Sequence, residues 1–186
     1  MRRSLTLVVF SFVFLAALVI VPSAQAATCS CGSAIIGTAG NDSLSGTGSG
    51  DCIQGRAGDD NLYGFGGDDC LQGEDGNDRL YGYDGADEIS GGNALLGAPA
   101  DDDYVDGWTE ADHVDGWIGN DTILGWYGAD DLWGFGGADY IDGEADNDTI
   151  HGETQNDTLY GGAGTDTVDG GSGTDTCSGE TLTNCP

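Results

Sequence analysis

The sequence predicts an all-β protein built as a parallel solenoid of short strands, and its repeat pattern leads to that fold class. A period of nine residues runs from Gly37 to Ser178. In each unit the first residue is glycine, the sixth is aspartate, and the eighth is aliphatic in all units but the last. Nine residues are two and a half helical turns, so successive aliphatic residues would lie on opposite faces of a helix. The period instead suits a strand of about three residues followed by a glycine-rich turn of about six. In such a strand the eighth position is expected to face inward, and the seventh and ninth positions to face solvent.

The repeats fall into two blocks. Six regular units fill residues 37–90 and eight fill residues 107–178. The segment from Gly91 to Asp106 is one unit plus seven extra residues, and it ends in the matching Asp-Tyr-Val-Asp. We therefore interpret it as a fifteenth unit with a surface bulge at about residues 91–102, marked by Pro99. We expect this bulge to interrupt the ladder of stacked units between Asp78 and Asp103 and between Asp87 and Asp112.

Stacked coils place the aspartates in two columns. If each unit makes half a coil, residues two units apart stack at roughly 4.8 Å, the spacing of parallel strands. Carboxylates about 5 Å apart repel by roughly 3 kcal/mol per neighbouring pair at an effective dielectric near 20. Calcium, which prefers roughly 6 to 8 oxygen ligands in a flexible shell, turns this repulsion into attraction. We predict that several calcium ions bind to the sixth-position residues, which are Asp42, Asp51, Asp60, Asp69, Asp78, Asp87, Asp103, Asp112, Asp121, Asp130, Asp139, Asp148, Asp157, Asp166 and Asp175.

The unit closely resembles the G-G-x-G-x-D-x-U-x nonapeptide of the RTX calcium-binding β-roll family over most of the chain. The resemblance implies a right-handed parallel β-roll, a β-helix solenoid with two short-strand sheets joined by glycine and aspartate turns. It also implies that sixth-position carboxylates and turn carbonyls of adjacent coils share each ion. The chain departs from the family at the second position, where only Gly162 and Gly171 are glycine. Turns that carry Glu110, Asp146 or Gln155 at the fourth position are candidates for distorted or weak sites.

The N-terminus has the features of a secretory signal peptide. Basic residues 2–3 precede an apolar run over residues 5–21, and Ala24-Gln25-Ala26 matches a cleavage site. An uncleaved membrane anchor is the alternative. After cleavage, two arginines against 33 acidic residues leave a net charge of −31. Such a polyanion is expected to bind cations, with no nucleic acid partner and no affinity for anionic membranes.

We expect a secreted, extracellular protein with four parts and no membrane span after signal removal. The parts are the signal peptide at 1–26, an N-terminal cysteine-containing cap at 27–36, the calcium-binding β-roll at 37–178 and a C-terminal disulfide cap at 179–186. Six cysteines in an exported chain favour disulfides. Cys177 and Cys185 are predicted to pair. A zinc site is disfavoured, because there is no C-x-x-C pair and both histidines lie far from every cysteine.

The other four cysteines leave two arrangements open. Cys52 and Cys70 are seventh-position residues two units apart, so they are expected to be neighbours at a separation that a disulfide bridges. Cys29 would then pair with Cys31 in a small, strained ring. The alternative joins these two N-terminal cysteines to the other two.

The function predicted from the sequence is that of a calcium-binding repeat protein that folds on binding calcium and serves as an extracellular structural or binding module. Aromatic residues at the second position give the alternative. Trp108 is expected to stack over Trp126, and Trp117 over Phe135, so these exposed tracks suit a calcium-dependent module that binds an extracellular glycan or a cell surface. An enzyme is not expected, because repeats fill nearly all of the mature chain and no nucleophile lies beside a candidate base.

Overall fold

The structure, a computed structural model, describes residues 33–92 and 100–185. It is an all-β parallel solenoid of about eight coils, which confirms the predicted fold class. Odd-numbered strands form a nine-stranded sheet and even-numbered strands an eight-stranded sheet, so each coil contributes one strand to each sheet. Within these two ranges there is no helix long and apolar enough to cross a membrane.

Nine of the strands are six residues long, twice the predicted length. They are β3 (Cys52–Ala57), β4 (Asn61–Gly66), β5 (Cys70–Asp75), β6 (Arg79–Asp84), β8 (Tyr104–Thr109), β9 (His113–Ile118), β10 (Thr122–Tyr127), β11 (Asp131–Gly136) and β12 (Tyr140–Ala145). Each of these strands begins at the seventh residue of one unit and continues into the next unit. It is longer than predicted because the second and third residues of that next unit also pair with the neighbouring coil, as Trp126 does with Glu144.

The remaining strands lie towards the two ends of the solenoid or beside the insertion, and they are two or three residues long. They are β1 (Ile35–Ile36), β2 (Ser43–Ser45), β7 (Glu88–Ser90), β13 (Thr149–His151), β14 (Thr158–Tyr160), β15 (Thr167–Asp169), β16 (Thr176–Ser178) and β17 (Thr181–Thr183).

The pairing register follows the predicted coil of two repeat units. Ile123, for example, pairs with Ile141 two strands along the chain. Across the insertion the step is longer by the seven extra residues, since Leu80 pairs with Val105. The expectation that the bulge interrupts the ladder is therefore wrong. The strands on either side of the insertion keep the same register.

The eighth-position side chains form the core, as predicted. Thirteen of them, from Ile53 to Val168, are at most 1% exposed, while Leu44 and Cys177 pack against the ends of this cluster. The seventh and ninth positions were expected to face solvent, but the ninth-position carboxylates of Asp106 and Asp115 are buried. The hydroxyl of Tyr104 donates to Asp106, and the ring of His113 lies against Asp115.

Cys177 and Cys185 form the predicted disulfide, with their Cα atoms 5.9 Å apart. Cys52 and Cys70 are register partners on β3 and β5, and both are disulfide-bonded. Cys29 and Cys31 lie outside the described residues, so the pairing among these four cysteines stays a prediction. The predicted signal peptide and the first six residues of the predicted N-terminal cap also lie outside them.

Candidate metal sites in two aspartate columns

The structure brings all fifteen sixth-position aspartates into two columns, one at each turn of the solenoid. Each lies directly before its strand, where the chain enters the sheet. Thirteen of them are at most 6% exposed, and Asp42 and Asp51 at the N-terminal end are half-buried. The first column contains Asp42, Asp60, Asp78, Asp103, Asp121, Asp139, Asp157 and Asp175, and the second contains Asp51, Asp69, Asp87, Asp112, Asp130, Asp148 and Asp166.

In the thirteen aspartates from Asp60 to Asp175, one carboxylate oxygen belongs to a ladder of hydrogen bonds between coils. The backbone N–H of Asp121 donates to Oδ1 of Asp139 at 2.9 Å, and that of Asp130 donates to Oδ1 of Asp148 at 3.0 Å. The same bond recurs at every step of both columns, at 2.7 to 3.0 Å. The ladder holds each of these carboxylates in one orientation inside its turn.

The other oxygen, Oδ2, is buried without a hydrogen-bond partner in thirteen of the fifteen aspartates, from Asp60 to Asp175. A buried acceptor left unpaired costs about 1–3 kcal/mol, and more when it carries charge. Native proteins contain few such groups. Here the unpaired oxygen is always Oδ2 of the sixth-position aspartate, which indicates that all of these carboxylates need a positively charged partner.

Backbone carbonyls from the coils on both sides lie close to each carboxylate, as Asp121 illustrates. A methyl carbon built on Gly116 would lie 2.6 Å from Asp121 Oδ2 and 3.2 Å from the carbonyl oxygen of Gly134 in the next coil. A methyl carbon on Gly119 would lie 2.9 Å from Asp121 Oδ1 and would overlap the carbonyl oxygen of Asp101 in the preceding coil. Glycine is thus required at both positions, and oxygens from three successive coils gather there.

This donor set consists of hard oxygen ligands. Within residues 33–92 and 100–185, no three His, Cys, Asp or Glu side chains cluster closely enough to hold a metal ion by themselves. Any ion in a column would therefore need backbone carbonyls beside the carboxylates of neighbouring coils. Calcium accepts such mixed shells of carboxylate and carbonyl oxygens, whereas magnesium demands a tight octahedron and gives up water reluctantly. The residues present fit calcium.

Burial strongly perturbs the acidity of the column aspartates. Desolvation raises the pKa of Asp103 to about 9 and that of Asp112 to about 8, opposed by the hydrogen bond from the preceding coil. It raises the pKa of five others to about 7, namely Asp78, Asp87, Asp121, Asp139 and Asp148. Neighbouring carboxylates in the column add to the increase in most of them. Without a cation, the folded columns therefore disfavour the charged form that a metal ion needs.

The second and fourth positions of the turns adopt the left-handed backbone conformation that favours glycine. Ten residues other than glycine do so at the second position, with φ between 68° and 89°. At the fourth position Glu110, Asp146 and Gln155 have φ of 71°, 83° and 82°. This conformation costs roughly 1–2 kcal/mol per non-glycine residue. The aspartate ladder passes through the three substituted turns without a break, and the weaker binding expected there stays a prediction.

Outside the columns, the clearest polar cluster surrounds His113. Its Nδ1 lies 3.2 Å from Oδ2 of Asp131 and its Nε2 lies 3.4 Å from Oδ1 of Asp115. Hydrogen bonds to these carboxylates raise the pKa of His113 to about 10. Ser90, on the neighbouring strand, accepts a hydrogen bond from the indole N–H of Trp117 at 2.9 Å. With both ring nitrogens engaged, His113 is not arranged to remove a proton from Ser90.

The second-position aromatic residues stack as predicted. The ring centroids of Trp108 and Trp126 are 5.8 Å apart, and those of Trp117 and Phe135 are 4.8 Å apart. Phe65 and Tyr83 extend the first pair into a continuous stack of four rings. Because the rings face one another along the solenoid, those inside a stack have their faces covered by their neighbours.

Sequence reasoning missed one acidic residue of the second column, Glu180. Its Oε2 accepts the backbone N–H of Asp166 at 2.9 Å, as an aspartate of the next coil would. The signal in the sequence was Glu180-Thr181-Leu182-Thr183, which parallels Asp157-Thr158-Leu159-Tyr160. It was hidden because Glu180 follows Asp166 by less than two repeat units, so the spacing breaks the period of nine.

Comparison with known proteins agrees with this geometry. A family model for the RTX calcium-binding nonapeptide repeat, in four copies, matches residues 34–62, 45–80, 63–94, 100–123, 118–150 and 143–177. These matches cover well over half of the chain and include all fifteen aspartates of the two columns. No curated protein matches the chain significantly.

Proposed function

This chain belongs to the RTX calcium-binding nonapeptide repeat family, and from that premise we propose that it is a secreted protein whose two aspartate columns bind several calcium ions. In this proposal, binding drives the chain to fold into its roll. The folded roll then serves as an extracellular structural or binding module and catalyses no reaction.

The proposal depends on one observation above all, the thirteen buried Oδ2 atoms without a hydrogen-bond partner. Calcium would supply the positive charge that these oxygens lack. The chain's own part is to orient them: each Oδ1 is held by the N–H of the preceding coil, which leaves Oδ2 directed into the turn. Glycine at the first position of every unit, and at the fourth position of ten units, keeps the space beside the carboxylate clear of side chains.

Coupling between binding and folding follows from what the coils contain. The core is a single file of aliphatic side chains, one from each half coil. Around it the chain buries the thirteen column aspartates from Asp60 to Asp175, which cost free energy unless they are neutralised. We infer that the closed coils are unstable while the columns lack cations and become stable when the columns are filled, as in small metal-dependent domains.

Secretion is supported by the signal peptide features of residues 1–26 and by the disulfide between Cys177 and Cys185, since disulfides persist in oxidising compartments. Extracellular sites of this kind bind calcium with dissociation constants of about 10⁻⁴ to 10⁻³ M. The chain would therefore remain unfolded at low calcium during export and would fold outside the cell.

The alternative, adhesion to a glycan through the aromatic tracks, has less support from the geometry. A sugar ring packs on the open face of an aromatic ring. In the stack from Phe65 to Trp126 the inner rings already cover one another. A binding partner for the folded module would thus contact mainly ring edges.

A calcium titration of the purified mature chain tests the proposed function. Far-UV circular dichroism should change from an unfolded to a strand-rich spectrum as calcium rises into the millimolar range, and a chelator should reverse the change. Magnesium at the same concentration is the matched control and should leave the chain largely unfolded. The same compact, strand-rich spectrum in excess chelator and in calcium would contradict the proposal.

A further inference from the structure

We propose that Glu180 closes the second aspartate column and, together with Asp166, supplies the carboxylates of its last calcium site. This inference rests on the proposed calcium binding by the columns. The repeat pattern assigns no acidic residue here, because Asn184 stands two full repeat units after Asp166. Glu180 reaches the position through a coil that is four residues shorter than the regular ones.

The first support is a hydrogen bond that matches the rest of the ladder. The backbone N–H of Asp166 donates to Glu180 Oε2 at 2.9 Å, and one step earlier that of Asp148 donates to Asp166 Oδ1 at 3.0 Å. A glutamate carboxylate thus occupies the place that an aspartate carboxylate occupies at every preceding step.

The second support is the register of the strand that follows Glu180. In β17, Leu182 pairs with Val168 of β15, as an eighth-position residue would. The N–H of Gly170 donates to the carbonyl of Thr183 at 3.0 Å, the bond that first-position glycines make to the ninth position of the next coil. Residues 180–183 are therefore the sixth to ninth positions of a sixteenth unit, and Glu180 stands where its ligand belongs.

The third support is the unsatisfied oxygen below Glu180. Asp166 is fully buried, and its Oδ2 has no hydrogen-bond partner. Elsewhere in the column such an oxygen is accompanied by a carboxylate of the next coil. With Glu180 in place the same holds here, so two carboxylates from successive coils face a hard divalent cation.

Hydrogen exchange measured by mass spectrometry during a calcium titration tests the assignment locally. The variants are Glu180→Gln, which keeps an oxygen that can accept the Asp166 N–H but removes the charge, and Glu180→Ala, which removes both. Glu144→Gln is the matched control, because it removes the charge of one exposed acidic side chain that is not a member of either column. The readout is the calcium concentration at which residues 176–185 become protected, compared with that for residues 104–127.

We expect Glu180→Gln to raise the calcium midpoint of residues 176–185 by about tenfold or more, since ligand charge sets the affinity of such sites. The midpoint of residues 104–127 should stay unchanged, and Glu144→Gln should match the wild-type protein in both segments. If Glu180→Gln behaves as wild type and only Glu180→Ala shifts the midpoint, Glu180 is a hydrogen-bonding cap and the inference is wrong.

A folding failure would also be decisive. If Glu180→Gln does not fold in calcium, Glu180→Asp, which keeps the charge, should fold and protect residues 176–185. Failure of Glu180→Asp as well would mean that Glu180 only fills space, and it would overturn the proposal.

If no segment of the wild-type protein responds to calcium, the proposed function fails together with this inference. A calcium response confined to segments other than 176–185 refutes the inference alone.

Discussion

The backbone N–H of Asp103 donates a hydrogen bond of 2.9 Å to Oδ1 of Asp121, the aspartate above it in the next coil. The carboxylate of one coil thereby fixes the backbone of the coil before it. The remaining oxygen of Asp121 is buried without a partner and lies near the first-position glycine of its own unit. Each aspartate therefore joins two coils, and neighbouring sites in a column depend on each other.

Removing one of these carboxylates should weaken calcium-driven folding. In Asp121→Asn the side chain retains an oxygen for the N–H of Asp103, but two neighbouring sites lose an anionic ligand. We expect the calcium midpoint of folding, followed by circular dichroism, to rise by about tenfold. Asp84→Asn is the control, because Asp84 is exposed at a third position and loses the same charge. Equal midpoints for the two variants would contradict the role assigned to the column.

Acidity should have opposite effects with and without calcium. The pKa values of the folded columns, about 6 to 9, lie above the value near 4 of an unfolded aspartate. Protonation therefore favours the folded state: this stabilisation is complete below about pH 4 and is lost as pH rises through about 6 to 9. In chelator, lowering the pH from 8 to 5 should increase the strand signal in circular dichroism.

In limiting calcium the same acidification should reduce binding, because protons compete with the ion for the carboxylates. If the protein in excess chelator has the same unfolded spectrum at pH 5 and at pH 8, the buried carboxylates do not control folding.

The core prediction concerns Leu132, whose side chain is fully buried in the middle of the aliphatic file. Leu132→Ala leaves a cavity and should lower the free energy of unfolding by about 2–5 kcal/mol in saturating calcium, measured by urea denaturation. Leu182→Ala is the matched control at the end of the file, where the side chain is 45% exposed. Its effect should be about 1 kcal/mol or less, because little apolar surface is uncovered there. If Leu182→Ala lowers the free energy of unfolding as much as Leu132→Ala does, the core is as well packed at its end as in its middle, and the prediction is wrong.

Backbone strain at the second position predicts that one substitution to glycine stabilises the roll and another destabilises it. Glu144 has φ of 69° and is exposed. Glu144→Gly relieves about 1–2 kcal/mol of strain, offset by roughly 0.5–1 kcal/mol of glycine entropy in the unfolded chain. The free energy of unfolding in calcium should therefore rise by up to about 1 kcal/mol.

Trp117 has φ of 79°, but its ring stacks on Phe135 and its indole N–H binds Ser90. Trp117→Gly should lower the free energy of unfolding by about 1–3 kcal/mol in the same assay, because the stack and the hydrogen bond are lost. Equal stabilisation by both glycine variants would mean that the aromatic ladder contributes nothing.

Prediction from sequence succeeded wherever the repeat itself carried the information. The inward eighth position, the pairing of Ile123 with Ile141 and the stack of Trp108 on Trp126 all follow from one period of nine. Prediction failed where the chain departs from the period of nine. The continuous ladder across the insertion required the observed register, and Glu180 required a coil whose length differs from the rest.

The amino-acid sequence by itself determined the coil, its two faces and the two columns, because a strict period leaves stacked strands only one way to bury their aliphatic side chains. Only the tertiary structure decided what each column carboxylate does with its two oxygens. Hydrogen bonds between coils depend on the positions of atoms that are far apart along the chain. They use Oδ1 and leave Oδ2 buried without a partner, and no residue pattern specifies that division.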